Sequence, residues 1–221
     1  MNQEFDLKFM TGKSDEVFSR FSSRNEFSDF ILVGGTALAI QIGHRLSLDL
    51  DFLLDAEELN SNRIKRDLGK VFPGYRVTRQ DHPWQIDCTI EQIRVTFFSA
   101  GAIAVPAGLG EHAAAYNRIR IATPRLIGAL KFSAIAQRNT IRDYYDLYML
   151  TKYQIPLLQL INFTKEVLPN LAPITYTETL VYTKDIDERS IGSHLCPIEV
   201  VDKEQIAAFF TEELKKIREE I

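Results

Sequence analysis

Two aspartates, Asp49 and Asp51, alternate with leucines in a segment whose pattern predicts a β-strand. Residues two apart in a strand point to the same side and lie roughly 7 Å apart along the chain. Two carboxylates in this position repel each other unless a cation or a hydrogen-bond donor lies between them. Mg²⁺ takes oxygen ligands, and paired metal ions suit in-line displacement at phosphorus. The two aspartates therefore predict a magnesium site that acts on phosphate esters.

The predicted strand, residues 45–53, divides its side chains between a polar and an apolar face. Ser47 shares the polar face with the two aspartates, and the apolar face carries Leu46, Leu48, Leu50 and Phe52. The alternative is the exposed face of an edge strand, but aspartate is depleted in strands, which favours a functional site. Ser47 is predicted to contact phosphate, whereas Arg45 is either structural or phosphate-facing.

A Gly-Gly-Thr turn, Gly34-Gly35-Thr36, lies between a predicted buried strand and a predicted helix. Glycines let the backbone approach a ligand closely, and amides at a helix N-terminus point at phosphate. Thr36 adds a hydroxyl donor. A plain tight turn is the simpler explanation of the glycines alone, but the aspartates that follow about a dozen residues later favour phosphate binding.

A second group of charged residues begins with Lys131, Ala134 and Arg138, which have the spacing of one helix face. Two cations beside a small residue leave room for a ligand such as the triphosphate of a nucleotide. Asp143 and Asp146 share a face of the next predicted helix. A structural explanation is also open, and it is the simpler one for these residues alone. Asp143 would cap the helix with Thr140, and Asp146 would pair with Arg138 or Arg142.

The apolar periodicity predicts an α+β chain. Strands are predicted at residues 30–33, 45–53, 75–79, 85–90, 93–99 and 118–122, and a loop at 101–110. Helices are predicted at 14–26, 36–42 and 55–72, and then at 124–137, 140–152, 156–167, 174–182 and 203–219. The predicted organisation is a core of residues 1–122 with a mixed sheet flanked by helices, followed by a helical region, residues 123–221, that completes the active site.

The overall composition excludes several classes of protein. The 221 residues carry a formal net charge of −4 and have a pI near 5.6, so any contact with nucleic acid must use a local patch. No apolar run reaches the ~20 residues of a membrane helix, and residues 1–13 lack the pattern of a signal peptide. Cys88 and Cys196 are expected to be free thiols in the cytoplasm, and the four histidines lack zinc-site spacing.

One basic stretch is a candidate surface for contacts with nucleic acid. Its cations are Arg63, Lys65, Arg66 and Lys70 on one predicted helix, followed by Arg76 and Arg79. They are candidates for contacts with RNA phosphates, although a solvated helix face is the simpler explanation for most of them.

These motifs together resemble those of the AbiEii/AbiGii nucleotidyltransferase toxin family. The first family motif corresponds here to Gly34-Gly35-Thr36, His44-Arg45, Ser47 and Asp49-Leu50-Asp51. The second corresponds to Lys131, Ala134, Arg138 and Arg142-Asp143-Tyr144-Tyr145-Asp146. The likeness covers roughly residues 25–185, and both motifs have the family's order and spacing.

The resemblance implies a DNA polymerase β-type nucleotidyltransferase fold and Mg²⁺-dependent transfer of a nucleoside monophosphate from an NTP. It implies a toxin of a bacterial toxin–antitoxin or phage-defence system, with RNA or tRNA as acceptor and a cognate antitoxin as partner. By resemblance, Asp49 and Asp51 hold metal, Gly34, Gly35 and Thr36 hold phosphate, and Lys131 contacts the nucleotide. Asp143 or Asp146 completes the site.

One position departs from the wider fold, which has a third carboxylate on a later strand. Thr96 stands there, and threonine replaces a carboxylate neither as a metal ligand nor as a base. Asp87, Asp143 or Asp146 are candidates to compensate. Three hypotheses stay open: transfer to RNA, transfer to a protein hydroxyl, and an NTP-binding module with impaired catalysis.

Overall fold

The computed structural model describes residues 5–103 and 108–219, and the chain forms two compact units, Met1–Thr123 and Pro124–Ile221. The first unit is built on a mixed sheet and the second is helical. This is the α+β fold that the sequence predicts. Among the described residues, no helix has the length and apolar character needed to span a membrane.

Within the described residues the sheet has seven strands. They are β1 (Phe30–Val33), β2 (Leu50–Leu54), β3 (Arg76–Asp81), β4 (Gln85–Ile90), β5 (Ile93–Ser99), β6 (Ala113–Tyr116) and β7 (Ile119–Ala122). Their order across the sheet is β3-β4-β5-β2-β1-β7-β6. The β2–β5 and β1–β7 pairs are parallel and the other pairs are antiparallel, so β2 lies in the interior of the sheet.

Three helices accompany the sheet in the first unit: α1 (Ser14–Ser22), α2 (Gly34–Ile42) and α3 (Ser61–Val71). Phe52 of β2 and Phe97 of β5 stack with ring centroids 5.3 Å apart. Phe21 of α1 packs on Phe52 at 4.8 Å, and on Phe72, just after α3, at 4.5 Å. These rings are buried, so one face of the β2–β5 pair is the apolar core of this unit.

Strand β2 begins at Leu50 and not, as predicted, at residue 45. The preceding segment makes an isolated parallel bridge between Ser47 and Met10, so it pairs with the N-terminal segment and lies outside the sheet. The predicted apolar face is also interrupted, because Leu48 is 37% exposed. The alternating pattern therefore describes an extended segment that leads into a shorter strand.

Helix α3 begins six residues later than predicted. The N-cap is Asn60, whose side chain accepts a hydrogen bond from the Arg63 amide at 3.0 Å, and not Asp55, the first residue of the predicted helix. The Asp55 carboxylate instead accepts from the amides of Gly108, at 3.0 Å, and Gly110, at 2.9 Å. Helix α2 begins at Gly34, before the predicted residue 36, α1 ends at Ser22, and strand β6 was not predicted.

The predicted loop at residues 101–110 lies partly outside the described residues. Before and after the gap at 104–107 the chain forms short 3₁₀ turns, Ala100–Ile103 and Leu109–His112.

The second unit contains α4 (Pro124–Ile135), α5 (Ile141–Tyr153), α6 (Leu157–Val167), α7 (Pro173–Val181) and α8 (Lys203–Glu219). A Cβ atom on Gly128 would lie 2.7 Å from the Leu150 side chain and 2.8 Å from that of Leu160, so this glycine lets α4 approach α5 and α6 closely. Phe132 of α4 stacks on Tyr176 of α7 at 4.5 Å. The core of this unit therefore forms around α4.

Candidate active site

Gly34 leaves no room for a side chain beside the Asp51 carboxylate. Gly34 has φ +75°, a conformation that side-chain-bearing residues rarely adopt, and a Cβ there would lie 2.6 Å from Asp51 Oδ2. The contact follows from the sheet, because Val33, the last residue of β1, pairs with Asp51. The Gly-Gly turn and the second aspartate are thereby brought together, with the glycine backbone against the carboxylate.

Asp49 is held through a hydrogen bond to its backbone carbonyl. The buried Thr36 hydroxyl is hydrogen-bonded to the Ser47 hydroxyl (Oγ1–Oγ 2.8 Å) and donates to the Asp49 carbonyl. The sequence predicts both hydroxyls as phosphate contacts, and that role stays a prediction. In the structure they join the first turn of α2 to the segment before β2.

The N-terminal segment holds the same stretch from the other side. The Ser47 amide donates to the Phe9 carbonyl at 2.9 Å, and the Thr11 amide donates to the Ser47 carbonyl at 3.0 Å. These bonds fix the chain two residues before Asp49. No local signal in the sequence points to this contact, because the partners are more than thirty residues apart.

The remaining residues of the first motif differ in exposure. Gly35 lies in the first turn of α2, where Val33, the N-cap, provides no side-chain hydrogen bond. Val33 thus does not cap the first-turn amides, and amides at a helix N-terminus suit an anion. Arg45 is buried, and its guanidinium donates to the Leu46 carbonyl at 2.9 Å. His44 is also buried.

Strand register extends the polar row from Asp51 across the sheet. Asp51 pairs with Thr96 of β5, and Thr96 pairs with Asp87 of β4. Directly paired residues point to the same face of a sheet, and adjacent strands lie about 4.8 Å apart. Thr96 thus lies between two aspartates, on the face opposite the phenylalanine core.

The donors at Asp49 and Asp51 fit a divalent cation. Both carboxylates are half-buried and supply oxygen, and the space beside Asp51 is one that a Cβ on residue 34 would fill. Among the described residues, no group of three or more histidine, cysteine, aspartate or glutamate side chains could hold a metal. Mg²⁺ commonly binds one or two carboxylates and completes its coordination with water and substrate phosphates, so two are enough.

The second motif forms an ion cluster in the helical unit. Lys131 Nζ of α4 lies 2.5 Å from Asp143 Oδ1 and 2.6 Å from Asp146 Oδ2, both on α5. Arg138 Nε lies 2.8 Å from Asp143 Oδ2. Lys131 and both aspartates are buried, whereas the Arg138 side chain is 62% exposed. Helix α4 ends at Ile135, so Arg138 lies beyond the helix face on which the sequence places it.

The pKa of Asp143 depends on its burial and on the cations beside it. Burial alone would raise the pKa of Asp143, but the charges of Lys131 and Arg138 and their hydrogen bonds outweigh it and hold this pKa below its ordinary value of 3.8. The predicted capping box is absent, because Thr140 makes no side-chain cap bond. Asp146 contacts Lys131 at 2.6 Å, whereas the structural explanation pairs it with Arg138 or Arg142.

The basic residues of the predicted acceptor surface fall into two sets. Arg66 and Lys70 on α3 lie 3.3 Å and 3.0 Å from the buried Asp67 carboxylate, and Arg63 lies 2.9 Å from Asp29. Lys65 donates to Gln80. Arg76 and Arg79 are exposed on β3, and exposed Arg94 on β5, which sequence analysis missed, is paired in register with Thr89.

A family model and a relative both match most of this chain. The family model described as nucleotidyl transferase AbiEii toxin, type IV TA system, matches residues 16–218. An uncharacterized protein of Aquifex aeolicus (strain VF5) is 32% identical over 181 residues, which cover 78% of this chain and 82% of that protein.

Two solved structures from Helicobacter pylori have the same fold. JHP933 is 16% identical, with a TM-score of 0.57, over 94% of this chain and 93% of its own. The other, described as a nucleotidyltransferase, is 19% identical, with a TM-score of 0.56, over 93% of each chain.

Proposed function

This chain belongs to the AbiEii nucleotidyltransferase toxin family, and we propose that it transfers a nucleoside monophosphate from an NTP to an RNA acceptor. In this reaction an acceptor hydroxyl oxygen forms a bond to the α-phosphorus, the bond to pyrophosphate breaks, and the hydroxyl proton passes to solvent water. The observation that carries the proposal is the contact of the Gly34 backbone with the Asp51 carboxylate.

Asp49 and Asp51 are proposed to bind Mg²⁺ with the NTP phosphates. The bound cation would neutralise charge on the phosphates and stabilise the charge that develops on the leaving group. Thr36 holds the Asp49 backbone and is itself bonded to Ser47, so the chain that carries this carboxylate is fixed before the nucleotide arrives. The amides of Gly34, Gly35 and Thr36 at the start of α2 are proposed to bind a phosphate.

Lys131 is proposed to contact the nucleotide as a point charge, in line with the resemblance. Asp143 and Asp146 hold its ammonium group in one position, because each carboxylate lies within 2.6 Å of Nζ. The exposed Arg138 is proposed to contribute a second cation to phosphate binding. Arg45 is buried with its guanidinium on a backbone carbonyl, which supports the structural alternative for this residue.

RNA is proposed as the acceptor, with tRNA as one member of that class. The exposed Arg76 and Arg79 on β3 and Arg94 on β5 supply positive charge near the Asp51–Thr96–Asp87 row. The α3 cations are weaker candidates, because Arg66 and Lys70 lie 3.3 and 3.0 Å from Asp67, whereas Arg79 and Arg94 have longer contacts with carboxylates, 3.7 and 3.9 Å. The family further suggests a toxin with a cognate antitoxin as its partner.

The test is to incubate the purified protein with each α-³²P-labelled NTP, Mg²⁺, bacterial RNA and bacterial protein. We expect label in the RNA fraction with the wild type, and none with Asp49→Ala or Asp51→Ala. Asp187→Asn, a change of an exposed carboxylate outside both motifs, is the matched control and should transfer normally.

Two alternatives are transfer to a protein hydroxyl and NTP binding without transfer. They stay open because Thr96 stands where the resemblance implies a carboxylate. Label in the protein fraction would identify a protein hydroxyl as the acceptor. NTP binding that needs Asp49 and Asp51, without any transfer, would indicate an NTP-binding module and contradict the proposed reaction.

A further inference from the structure

Thr96 has an unusual environment for a buried polar side chain. Its residue is 6% exposed, and its hydroxyl has no hydrogen-bond partner among the described residues. Buried hydroxyls in proteins nearly always have a partner, and an exception calls for a bound water, an ion or a functional role. The position is the one at which the wider fold has a carboxylate, so the orphaned hydroxyl and the departure from the motif coincide.

Asp87 is the carboxylate next to this hydroxyl. It pairs with Thr96 in the β4–β5 register and is 5% exposed. Gln85 Nε2 donates to its Oδ1 at 2.9 Å, and its closest cationic atom is a guanidinium nitrogen of Arg94, 3.9 Å from Oδ2. A carboxylate accepts up to about four hydrogen bonds, so Asp87 has acceptor capacity to spare.

The other buried aspartates of the described chain are better compensated. Asp67 has Lys70 at 3.0 Å, Asp143 has Lys131 at 2.5 Å, and Asp146 has Lys131 at 2.6 Å. Keeping a carboxylate buried with only a distant cation is costly unless something else binds it. Asp87, with Arg94 at 3.9 Å and Gln85 at 2.9 Å, therefore has a longer charge contact than these three residues.

We propose that Asp87 and Thr96 together hold a water ligand of the divalent cation at Asp49 and Asp51, so that Asp87 acts as a third carboxylate displaced by one strand. The proposal rests on the proposed function. Asp51 and Asp87 are two strand spacings apart, roughly 10 Å between backbones. That separation favours contact through water over direct coordination, in agreement with the absence of a three-carboxylate cluster among the described residues. Asp87 is thus a positioning residue, with Gln85 orienting it.

The test measures Mn²⁺ binding to the full chain by electron paramagnetic resonance, with and without a non-hydrolysable NTP. Loss of an outer partner of a metal site weakens affinity by about 10- to 100-fold. We expect Asp87→Asn to weaken Mn²⁺ binding by at least ~10-fold. Asp81→Asn, which removes the same charge from an exposed position on β3, should bind as the wild type does.

Thr96→Val provides a second variant that keeps the fold. Removing an unpartnered hydroxyl from a buried site should leave stability unchanged or raise it. We expect Mn²⁺ affinity to fall nonetheless. Thr96→Asp in the Asp87→Asn background should restore binding, because it moves the carboxylate next to Asp51.

The outcomes separate the two proposals. Mn²⁺ binding that depends on Asp51 but is unchanged in Asp87→Asn and Thr96→Val would overturn the role of Asp87 and leave the nucleotidyltransferase proposal standing. Mn²⁺ binding that is equally unaffected by Asp51→Asn would overturn both. A circular-dichroism melt of each variant confirms that the protein measured is folded.

Discussion

The segment before β2 and the start of α5 each carry two aspartates that sequence motifs single out, and the two pairs differ in environment. Asp49 and Asp51 are half-buried and are held by backbone and hydroxyl contacts. Asp143 and Asp146 are 1% and 0% exposed, and face the ammonium of Lys131. With Arg138, that cluster has two positive and two negative charges and is neutral as folded.

The contrast shows that a shared residue type does not imply a shared energetic role. The half-buried pair gains most from a cation brought by the substrate, so its removal should affect catalysis more than stability. The buried cluster pairs opposite charges within the folded chain, so breaking it should affect folding first. The following substitutions test this difference, and they begin with the largest effect.

Asp51→Asn should lower nucleotide transfer by at least ~10³-fold, because charge stabilisation by a bound metal is worth several kcal/mol. The free energy of unfolding should change by less than about 1 kcal/mol, since the side chain is only half-buried. Labelled transfer and urea unfolding measured on the same preparation check both halves. A destabilisation as large as that of the cluster variants would remove the distinction between the two pairs.

Lys131→Met should destabilise the protein by about 3–5 kcal/mol, because it leaves a buried carboxylate without its charge partner. Asp143 keeps its contact with Arg138, whereas Asp146 loses its contact with Lys131. Replacing that carboxylate as well, in Lys131→Met/Asp146→Leu, should recover most of the loss.

Urea unfolding of the wild type, both single variants and the double variant gives the coupling energy. Additive losses would mean that the cluster does not act as a unit. NTP binding of the double variant, compared with wild type, separately tests the contact of Lys131 with the nucleotide.

Gly34→Ala should cost about 1–3 kcal/mol of backbone strain. The substitution should also lower the rate of nucleotide transfer, because the added Cβ would meet Asp51 Oδ2 at 2.6 Å. Gly74→Ala is the matched control, since a Cβ there meets no atom within 4 Å. Transfer rates and unfolding midpoints of the two variants should therefore diverge. Equal behaviour would mean that the turn does not constrain Asp51.

The buried cluster should also make stability depend on pH. The folded-state pKa of Asp143 is below its ordinary 3.8, so its contribution is present above that value and is lost as pH falls through the folded pKa. The difference in unfolding free energy between wild type and Asp143→Asn should narrow as pH falls below about 4. A constant difference across this range would contradict the charge balance assigned to Asp143.

Sequence patterns predicted the elements whose signals are local. The bounds of β1, β4, β5 and α8 agree with the structure, because each is marked by its own apolar pattern and flanking residues. The start of β2 was wrong because Ser47 pairs with Met10, far away in sequence. The start of α3 was wrong because the Asp55 carboxylate binds backbone amides near residue 108.

For the candidate site, residue types and spacing pointed to Asp49, Asp51 and Lys131, and the resemblance singled out Thr96 and Asp87, but not the pairing of these residues in the sheet. The pairing of Thr96 with both Asp51 and Asp87 depends on strand order, and a sequence pattern does not specify which strands are adjacent. The sequence did not specify the partner of Asp143 either, because it is compatible both with a Thr140–Asp143 capping box and with an ion pair between Asp143 and Lys131.

The smallest predicted effect separates those two explanations. A working N-cap contributes about 1 kcal/mol, and Thr140 makes no side-chain cap bond, so Thr140→Ala should cost less than ~0.5 kcal/mol. Asn60→Ala, which removes the observed cap of α3, should cost about 1 kcal/mol and is the positive control. Urea unfolding resolves this difference. A loss at Thr140 as large as that at Asn60 would assign Asp143 to a capping box, whereas a negligible loss leaves its carboxylate to the Lys131 cluster.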